Sequence, residues 1–224
     1  MLENILKSQI GFYKVVPFDW NAEPFLALDL TENNLDLQSI DLQNTAAFND
    51  YVFGLMAQQN VKVAVGGYNE HRFIYQRSEH FQQESEPRCI HLGIDIWAKA
   101  GTEIYTPIAG KLKFARNNDN FGDYGSTLII EHELEGHTFH TLYGHLSLES
   151  LTTTNEGDLI EAGEKIATIG DFPINGDWPP HLHFQVIKDL EGVVGDYPGV
   201  CSLGNREKYL ANCPDPNLIL RIPF

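Results

Sequence analysis

The stretch that first indicates the fold is Ser126-Thr127-Leu128-Ile129-Ile130-Glu131-His132-Glu133-Leu134-Glu135-Gly136-His137-Thr138-Phe139-His140-Thr141-Leu142-Tyr143. β-Branched, aliphatic and aromatic residues fill both halves of the stretch, as is typical of strands. Glu135-Gly136 interrupts them with the residue types of a turn. The sequence therefore predicts two antiparallel strands that are joined at Glu135-Gly136.

The histidines of this stretch resemble a zinc-binding helix motif only superficially. That motif places two histidines four residues apart on one helix face, whereas His132 and His137 are five residues apart. Five residues correspond to about 140° around a helix, so the two rings could not share a metal. We therefore expect His132, His137 and His140 to be exposed on the hairpin, with a groove-facing His140 as the alternative.

Two other segments carry the candidate metal ligands: His91-Leu92-Gly93-Ile94-Asp95 and His181-Leu182-His183. Side chains an even number of residues apart on an extended chain share a face, which pairs His91 with Asp95 and His181 with His183. Two imidazoles and one carboxylate would leave the fourth position of a zinc ion to water, as in catalytic rather than structural zinc sites. One histidine of the second pair could bind the metal while the other faces substrate.

A third segment, Leu142-Tyr143-Gly144-His145-Leu146, places one more histidine in a strand-like setting. With nine histidines in the chain, a His-x-His pair could arise by coincidence, and the alternative is a set of unrelated core or surface histidines. The combination of His-x-x-x-Asp, His-x-His and Gly-His favours a zinc hydrolase.

Four segments together resemble the lysostaphin-type (LytM-type) zinc endopeptidases. They are HLGIDIWAKAGTEIYTPIAGKL (91–112), LYGHLSLESL (142–151), GEKIATIGDF (163–172) and PPHLHFQV (179–186). The resemblance runs from about His91 to Ile187. It implies that His91, Asp95 and His183 bind one zinc ion, and that His145 and His181 are the two catalytic histidines beside it.

The resemblance also implies a mainly β fold: a compact antiparallel β-sheet of the duplicated hybrid motif type, barrel- or sandwich-like, with the metal in an open groove. We expect an α+β N-terminal extension over residues 1–85, the zinc metallopeptidase core over 86–190, and a C-terminal tail packed on the core over 191–224. Within the extension, Asn44 or Thr45 can cap a helix over about 46–59, and a strand is expected over about 61–65.

The function implied by the resemblance is endopeptidase hydrolysis of peptidoglycan cross-links or related glycine-containing peptides. Zinc would activate a water, and two histidines would assist. One alternative is a metal-poor binding or regulatory module on a peptidase fold. Others are a cytosolic zinc hydrolase of a small non-wall peptide and a histidine phosphocarrier, which would not need Asp95. The polar, aromatic loop Gly66–Arg72 is hypothesised to lie along the substrate groove.

Composition restricts the partners. A net charge of −16 argues against nucleic acid binding, and no apolar run approaches the ~20 residues of a membrane span. Three cysteines, Cys89, Cys201 and Cys213, fit reduced thiols better than a disulfide framework. The first residues lack the pattern of a secretory signal, which favours the cytoplasm, with export by another route as the alternative. The expected partner is a peptide or peptidoglycan, and the oligomeric state is not predicted.

Overall fold

The computed structural model describes residues 1–82, 86–153 and 155–224, and over these residues the chain forms four α-helices and twelve strands. The helices are α1 (Leu2–Ser8), α2 (Thr45–Gln58), α3 (Arg206–Asn212) and α4 (Asn217–Leu220). The strands are β1 (Leu26–Leu28), β2 (Ala64–Gly66), β3 (Arg88–His91), β4 (Ile94–Trp97), β5 (Glu103–Tyr105), β6 (Gly110–Asn118), β7 (Gly125–Leu134), β8 (His137–Leu146), β9 (Leu159–Ile160), β10 (Lys165–Thr168), β11 (His181–Ile187) and β12 (Val200–Ser202). Short 3-10 helices lie at Leu35–Ser39, Phe73–Arg77, Glu79–Phe81, Leu148–Thr152 and Leu203–Asn205.

Eight of the strands form one sheet in the order β1-β2-β4-β11-β8-β7-β6-β9. Every pairing in this sheet is antiparallel except that of β1 with β2. Two further pairs, β10 with β5 and β12 with β3, are also antiparallel. The predicted mainly β, antiparallel fold is confirmed. Over the described residues the large sheet ends at β1 and β9 and does not close into a barrel.

The predicted hairpin is present as β7 and β8, with Glu135 and Gly136 as the two turn residues. Both have positive φ, 48° and 75°, which two-residue hairpin turns require because their twist matches that of the strands. Leu128 and Ile130 of β7 and Tyr143 of β8 point into the main core and are fully buried. The alternation of apolar side chains thus fixes the register of the hairpin.

The expectation that the hairpin histidines are exposed is wrong for two of the three. His132 is 1% exposed, because β7 lies between β6 and β8 and Gly110 leaves room for the ring. Its Nδ1 donates to the Ala109 carbonyl at 2.9 Å. His140 is 7% exposed and contacts Glu131, away from the metal-ligand candidates. His137 is partly exposed.

The N-terminal region joins the same sheet. Helix α2 begins after Asn44, whose side chain accepts from the amide of Ala47 at 3.2 Å, and it lies within about one residue of the predicted span. Its buried face packs Phe48 against Trp97 of β4. Strand β2 is shorter and later than the predicted 61–65, and it pairs Gly66 with Asp95. The N-terminal region is therefore hydrogen-bonded to the strand that carries a candidate ligand.

The C-terminal residues pack against the region before the site and against helix α1. Strand β12 pairs with β3, and the Tyr68 hydroxyl donates to the Cys213 carbonyl at 2.7 Å. Ile219 and Ile222 are buried in the same core cluster as Leu6 of α1. The predicted division at 85/86 falls at residues 83–85, outside the described residues, and the three-part division stays a prediction. No helix among the described residues is long and apolar enough to cross a membrane.

Candidate metal centre

The register of three central strands builds the site. Strand β11 lies between β4 and β8, and His183 is paired with Asp95 on one side and with Gly144 on the other. Cross-strand partners on one face have Cβ atoms about 5 Å apart, so the carboxylate and the imidazole meet directly. Gly93 has to be glycine, since a Cβ there would lie 2.6 Å from His183 Cε1 and 2.8 Å from the Phe184 carbonyl oxygen.

Three side chains converge within 4.8 Å of one another: His91, Asp95 and His183. His91 Nε2 lies 3.2 Å from Asp95 Oδ1 and 3.0 Å from His183 Nδ1, and the third edge of the triangle is 3.1 Å. Ligands at 2.0–2.2 Å from a tetrahedral zinc are separated by about 3.3–3.6 Å, slightly more than these distances. The triangle thus has the dimensions that a zinc site needs.

In each of the two histidines, the ring nitrogen that faces away from the triangle is hydrogen-bonded. These bonds fix the ligand tautomer, in which the nitrogen facing the metal position carries a lone pair. His91 donates from Nδ1 to the Gly67 carbonyl at 2.9 Å, which leaves a lone pair on Nε2. His183 donates from Nε2 to Gln185 Oε1 at 2.9 Å, which leaves a lone pair on Nδ1. Metal-binding histidines usually donate their other ring N–H to an oxygen in this way. The donor set therefore fits a zinc ion.

The charge states also suit metal binding. Burial lowers the pKa of His91 to about 3, with the Arg72 charge acting in the same direction. Burial would raise the pKa of Asp95, but His91 and Arg72 hold it well below its usual value. At neutral pH His91 is therefore a neutral imidazole and Asp95 an ionised carboxylate, which are the forms that bind metals.

His145 and His181 lie beside the triangle, with ring centroids 4.1 Å apart. His145 donates from Nδ1 to the Asn175 carbonyl at 2.8 Å, and His181 donates from Nδ1 to the Pro179 carbonyl at 2.8 Å. Each neutral ring therefore keeps Nε2 as an acceptor. His181 also stacks on Trp97 at 4.1 Å, and its Nε2 lies 4.0 Å from Asp95 Oδ2.

Burial lowers the pKa of both of these histidines, to about 4 for His181. His145 also adopts a φ of +62°, which is uncommon for a non-glycine residue and clusters at functional sites. All five residues singled out from the sequence, His91, Asp95, His145, His181 and His183, thus lie in one buried cluster.

Arg72 is a member of this cluster that the sequence analysis placed only as a loop residue. Its Nη1 donates to Asp95 Oδ2 and, at 3.3 Å, to the Tyr75 hydroxyl, while its Nε donates to Glu70 Oε2 at 2.8 Å. The hypothesis that Gly66–Arg72 lies along the substrate groove stays a prediction. Arg72 contacts the metal-ligand candidate Asp95, whereas the Tyr68 hydroxyl donates to the Cys213 carbonyl.

A cavity of about 110 Å³ opens onto the cluster. Asp95, His145, His181 and His183 contribute to its walls, and residues 72–81, which we call the roof segment, cover one side of it. The resemblance implied an open groove. The cavity is partly open to solvent, and the roof segment forms one of its walls.

Residues 89–194 match the model of a known family, described as peptidase family M23. The uncharacterized lipoprotein YgeR of Escherichia coli K12 is 35% identical over 94 residues, which are 42% of this chain and 33% of that protein. This chain therefore spans only about a third of the length of the curated relative that it matches.

Two solved structures are also similar. A zinc-containing peptidase from Vibrio cholerae is 30% identical over 44% of this chain and 27% of its own, with a TM-score of 0.34. The catalytic domain of the antimicrobial peptidase lysostaphin from Staphylococcus simulans is 20% identical over 74% of this chain and 96% of its own, with a TM-score of 0.46.

The family match includes every residue of the triangle and both neighbouring histidines. Its bounds, 89–194, enclose the strands β4, β8 and β11 that bring these residues together. The resemblance predicted from the sequence is confirmed: residues 89–194, which carry the site, match the model of peptidase family M23.

Proposed function

We propose that this chain is a zinc-dependent endopeptidase that hydrolyses peptide bonds in glycine-containing peptides, with peptidoglycan cross-links as one source of such peptides. The observation that carries the proposal is the triangle of His91, Asp95 and His183, in which both rings are held in the ligand tautomer. Three nitrogen and oxygen donors with no cysteine are typical of a catalytic zinc with an open position. The family match over residues 89–194 supports a metallopeptidase reaction.

Bound zinc would lower the pKa of a coordinated water to about 7 and polarise the scissile carbonyl. His145 and His181 would then accept and donate the protons of the reaction. Each ring is neutral and presents Nε2 as an acceptor, so each can take a proton from the attacking water. A ring that has taken a proton becomes a donor at Nε2 and can stabilise the developing oxyanion.

The test is metal content together with hydrolysis. Protein purified without a chelator should contain one zinc per chain and should cleave pentaglycine. His183→Ala should lose both properties. His140→Ala, which changes a buried histidine outside the cluster, should keep both. If zinc-loaded wild type cleaves neither glycine peptides of any length nor peptidoglycan, the proposal fails and the binding or regulatory module becomes the better explanation.

The cellular setting is a separate question. The matched Escherichia coli protein is named a lipoprotein, so this comparison does not support the cytoplasmic location predicted from the N-terminal residues. A zinc hydrolase of a small non-wall peptide is a second candidate. It is favoured by one observation, the small cavity of about 110 Å³ that the roof segment lines on one side.

A further inference from the structure

We propose that the roof segment restricts this site to short, soluble peptides with small residues at the scissile bond, and excludes the cross-linked wall polymer. The inference rests on the proposed peptidase function and narrows its substrate class. Short glycine peptides could be released from a cell wall or arise inside the cell. The chemistry that the site would recognise is the same in both cases.

The size of the cavity is the first observation. Sites that hold drug-sized ligands have volumes of about 300–1,000 Å³, whereas this cavity has about 110 Å³. A water molecule needs about 10–15 Å³ of such space, so the cavity corresponds to roughly seven to eleven waters. A peptide bond flanked by glycine can enter such a space, whereas bulky side chains or a branched cross-link would contact the walls.

The second observation is that the roof segment is fixed to the loops on both sides of the site. Ser78 Oγ donates to the Phe121 carbonyl at 2.8 Å, in the loop between β6 and β7. The next residue, Gly122, lies so close to the roof segment that a Cβ on it would be 2.7 Å from Ser78 Cβ. On the other side, Arg77 Nη2 donates to the Asp177 carbonyl at 3.0 Å, in the loop before β11.

The roof segment is also packed from beneath. Tyr75 and Phe81 lie with ring centroids 4.7 Å apart, and each lies 6.4 Å from the ring of Trp178. All three side chains are at most 5% exposed. Aromatic pairs at these separations add to the burial of their apolar surface. The roof is therefore a packed part of the fold that covers the site.

Further contacts hold the loops that line the cavity. The Gly122 amide donates to the Gly176 carbonyl at 2.9 Å, which joins the two loops to each other. The Tyr124 hydroxyl donates to the Tyr197 carbonyl at 3.1 Å, next to His183. With the roof segment they give the cavity fixed walls, between which we infer that the end of a short peptide fits more easily than the middle of a long chain.

The experiment compares substrates of equal chemistry and different length. Triglycine and pentaglycine are the short substrates. A pentaglycine flanked by ten residues on each side is the long one, and insoluble peptidoglycan with glycine cross-links is the polymer. For zinc-loaded wild type we expect kcat/KM on the short peptides to exceed that on the long peptide at least about 100-fold, with no release of soluble fragments from the polymer.

Loosening the roof should change this ratio. Ser78→Ala removes the contact with Phe121, and Arg77→Met removes the contact with Asp177. We expect each to raise kcat/KM on the long peptide at least about tenfold relative to the short ones. Ser39→Ala removes a similar serine hydrogen bond, to the Asp36 carbonyl, on an exposed 3-10 helix, and should leave the ratio unchanged. If Arg77→Met does not fold, Ser78→Ala alone decides.

The outcomes separate the two proposals. Equal kcat/KM on short and long peptides, or efficient solubilisation of the polymer, would overturn the size restriction while the peptidase function stands. Selectivity for short peptides that Ser78→Ala does not change would overturn the role of the roof segment. No cleavage of any substrate by zinc-loaded protein would overturn the peptidase function, and the size restriction with it.

Discussion

The guanidinium of Arg72 donates to Oδ2 of Asp95, while the other carboxylate oxygen, Oδ1, faces the two candidate metal-binding histidines. The carboxylate is thus shared between a permanent positive charge and the metal position. Arg72 is 2% exposed, and Glu70 on its other side balances part of its charge. This arrangement fixes the orientation of Asp95 and leaves a single oxygen free for a metal.

We expect substitution of Arg72, or of Glu70 beside it, to weaken zinc binding. Changing residues that orient metal ligands typically costs 10–100-fold in metal affinity or activity. Arg72→Met should therefore raise the Kd for zinc by about 10–100-fold, measured by competition with a chelating dye. Glu70→Gln should have a smaller effect in the same direction, because it loosens Arg72 without removing it.

Glu70→Gln and a control variant keep this test decisive. Removing Arg72 leaves buried carboxylates unpaired, at a cost of about 3–5 kcal/mol, so Arg72→Met could unfold the protein. Glu70→Gln then carries the test. Arg116→Met is the matched control, because Arg116 pairs with Glu156 on the surface. An unchanged zinc Kd in folded Arg72→Met or in Glu70→Gln would refute the orienting role.

His145 and His181 should be needed for turnover but not for zinc. Loss of a group that stabilises a developing oxyanion typically costs ~10²–10³ in kcat. We expect this loss on pentaglycine for His145→Ala and for His181→Ala, each with one zinc per chain. The double variant should be little worse than either single one, because residues that act as a unit are not additive.

His137→Ala changes a partly exposed histidine at the hairpin turn and should keep full activity. Zinc loss in His145→Ala would instead make His145 a ligand. A kcat within about twofold of wild type in either single variant would remove that histidine from the mechanism.

Local patterns in the sequence predict part of this structure. Alternating apolar residues and Glu135-Gly136 predict the hairpin, because turn chemistry and side-chain alternation are local properties. The His-x-x-x-Asp and His-x-His spacings predict which side chains can share a face. The pairing of β4 with β11, which brings Asp95 to His183, is not a local property, and only the resemblance implied it.

The remaining features depend on contacts between distant segments. Arg72 reaches Asp95 because β2 pairs with β4, and nothing in the residues around Arg72 encodes that pairing. His132 is polar and lies near an acidic turn, which favours exposure. Its burial depends on Gly110 in the neighbouring strand, where a Cβ would lie 2.7 Å from His132 Nδ1. The roof likewise depends on loops that are far from it in sequence.

Gly93→Ala should damage the metal centre directly. A Cβ at this position would lie 2.6 Å from His183 Cε1 and 2.8 Å from the Phe184 backbone oxygen, so the ring and the strand would both have to move. We expect a large loss of zinc affinity together with a lower melting temperature. Gly54→Ala is the matched control, because no atom lies within 4 Å of a Cβ added there in α2.

The control should respond in the opposite direction. Alanine replaces glycine inside a helix with a gain of about 0.5–1 kcal/mol, so Gly54→Ala should melt at a slightly higher temperature and bind zinc like wild type. Differential scanning calorimetry and zinc titration read out both effects. Normal zinc affinity in Gly93→Ala would show that the strand can shift without disturbing His183.

The last prediction concerns acid stability and His132. Burial lowers the pKa of His132 to about 4, from an ordinary value of 6.5. Between these values the unfolded chain binds a proton at this position and the folded chain does not, so stability falls as the pH falls. The contribution is fully present above about pH 6.5, and about 2 kcal/mol of it should be lost between pH 7.5 and pH 5.

The measurement is the free energy of unfolding in urea at both pH values, with chelator present so that zinc does not contribute. His132→Gln cannot titrate, so it should be less stable than wild type at pH 7.5 but should lose about 2 kcal/mol less on acidification. Thr141→Val, which removes the hydroxyl 2.7 Å from His132 Nε2 and keeps the ring, should retain the wild-type pH dependence. Equal losses on acidification in wild type and His132→Gln would mean that another group causes the acid sensitivity.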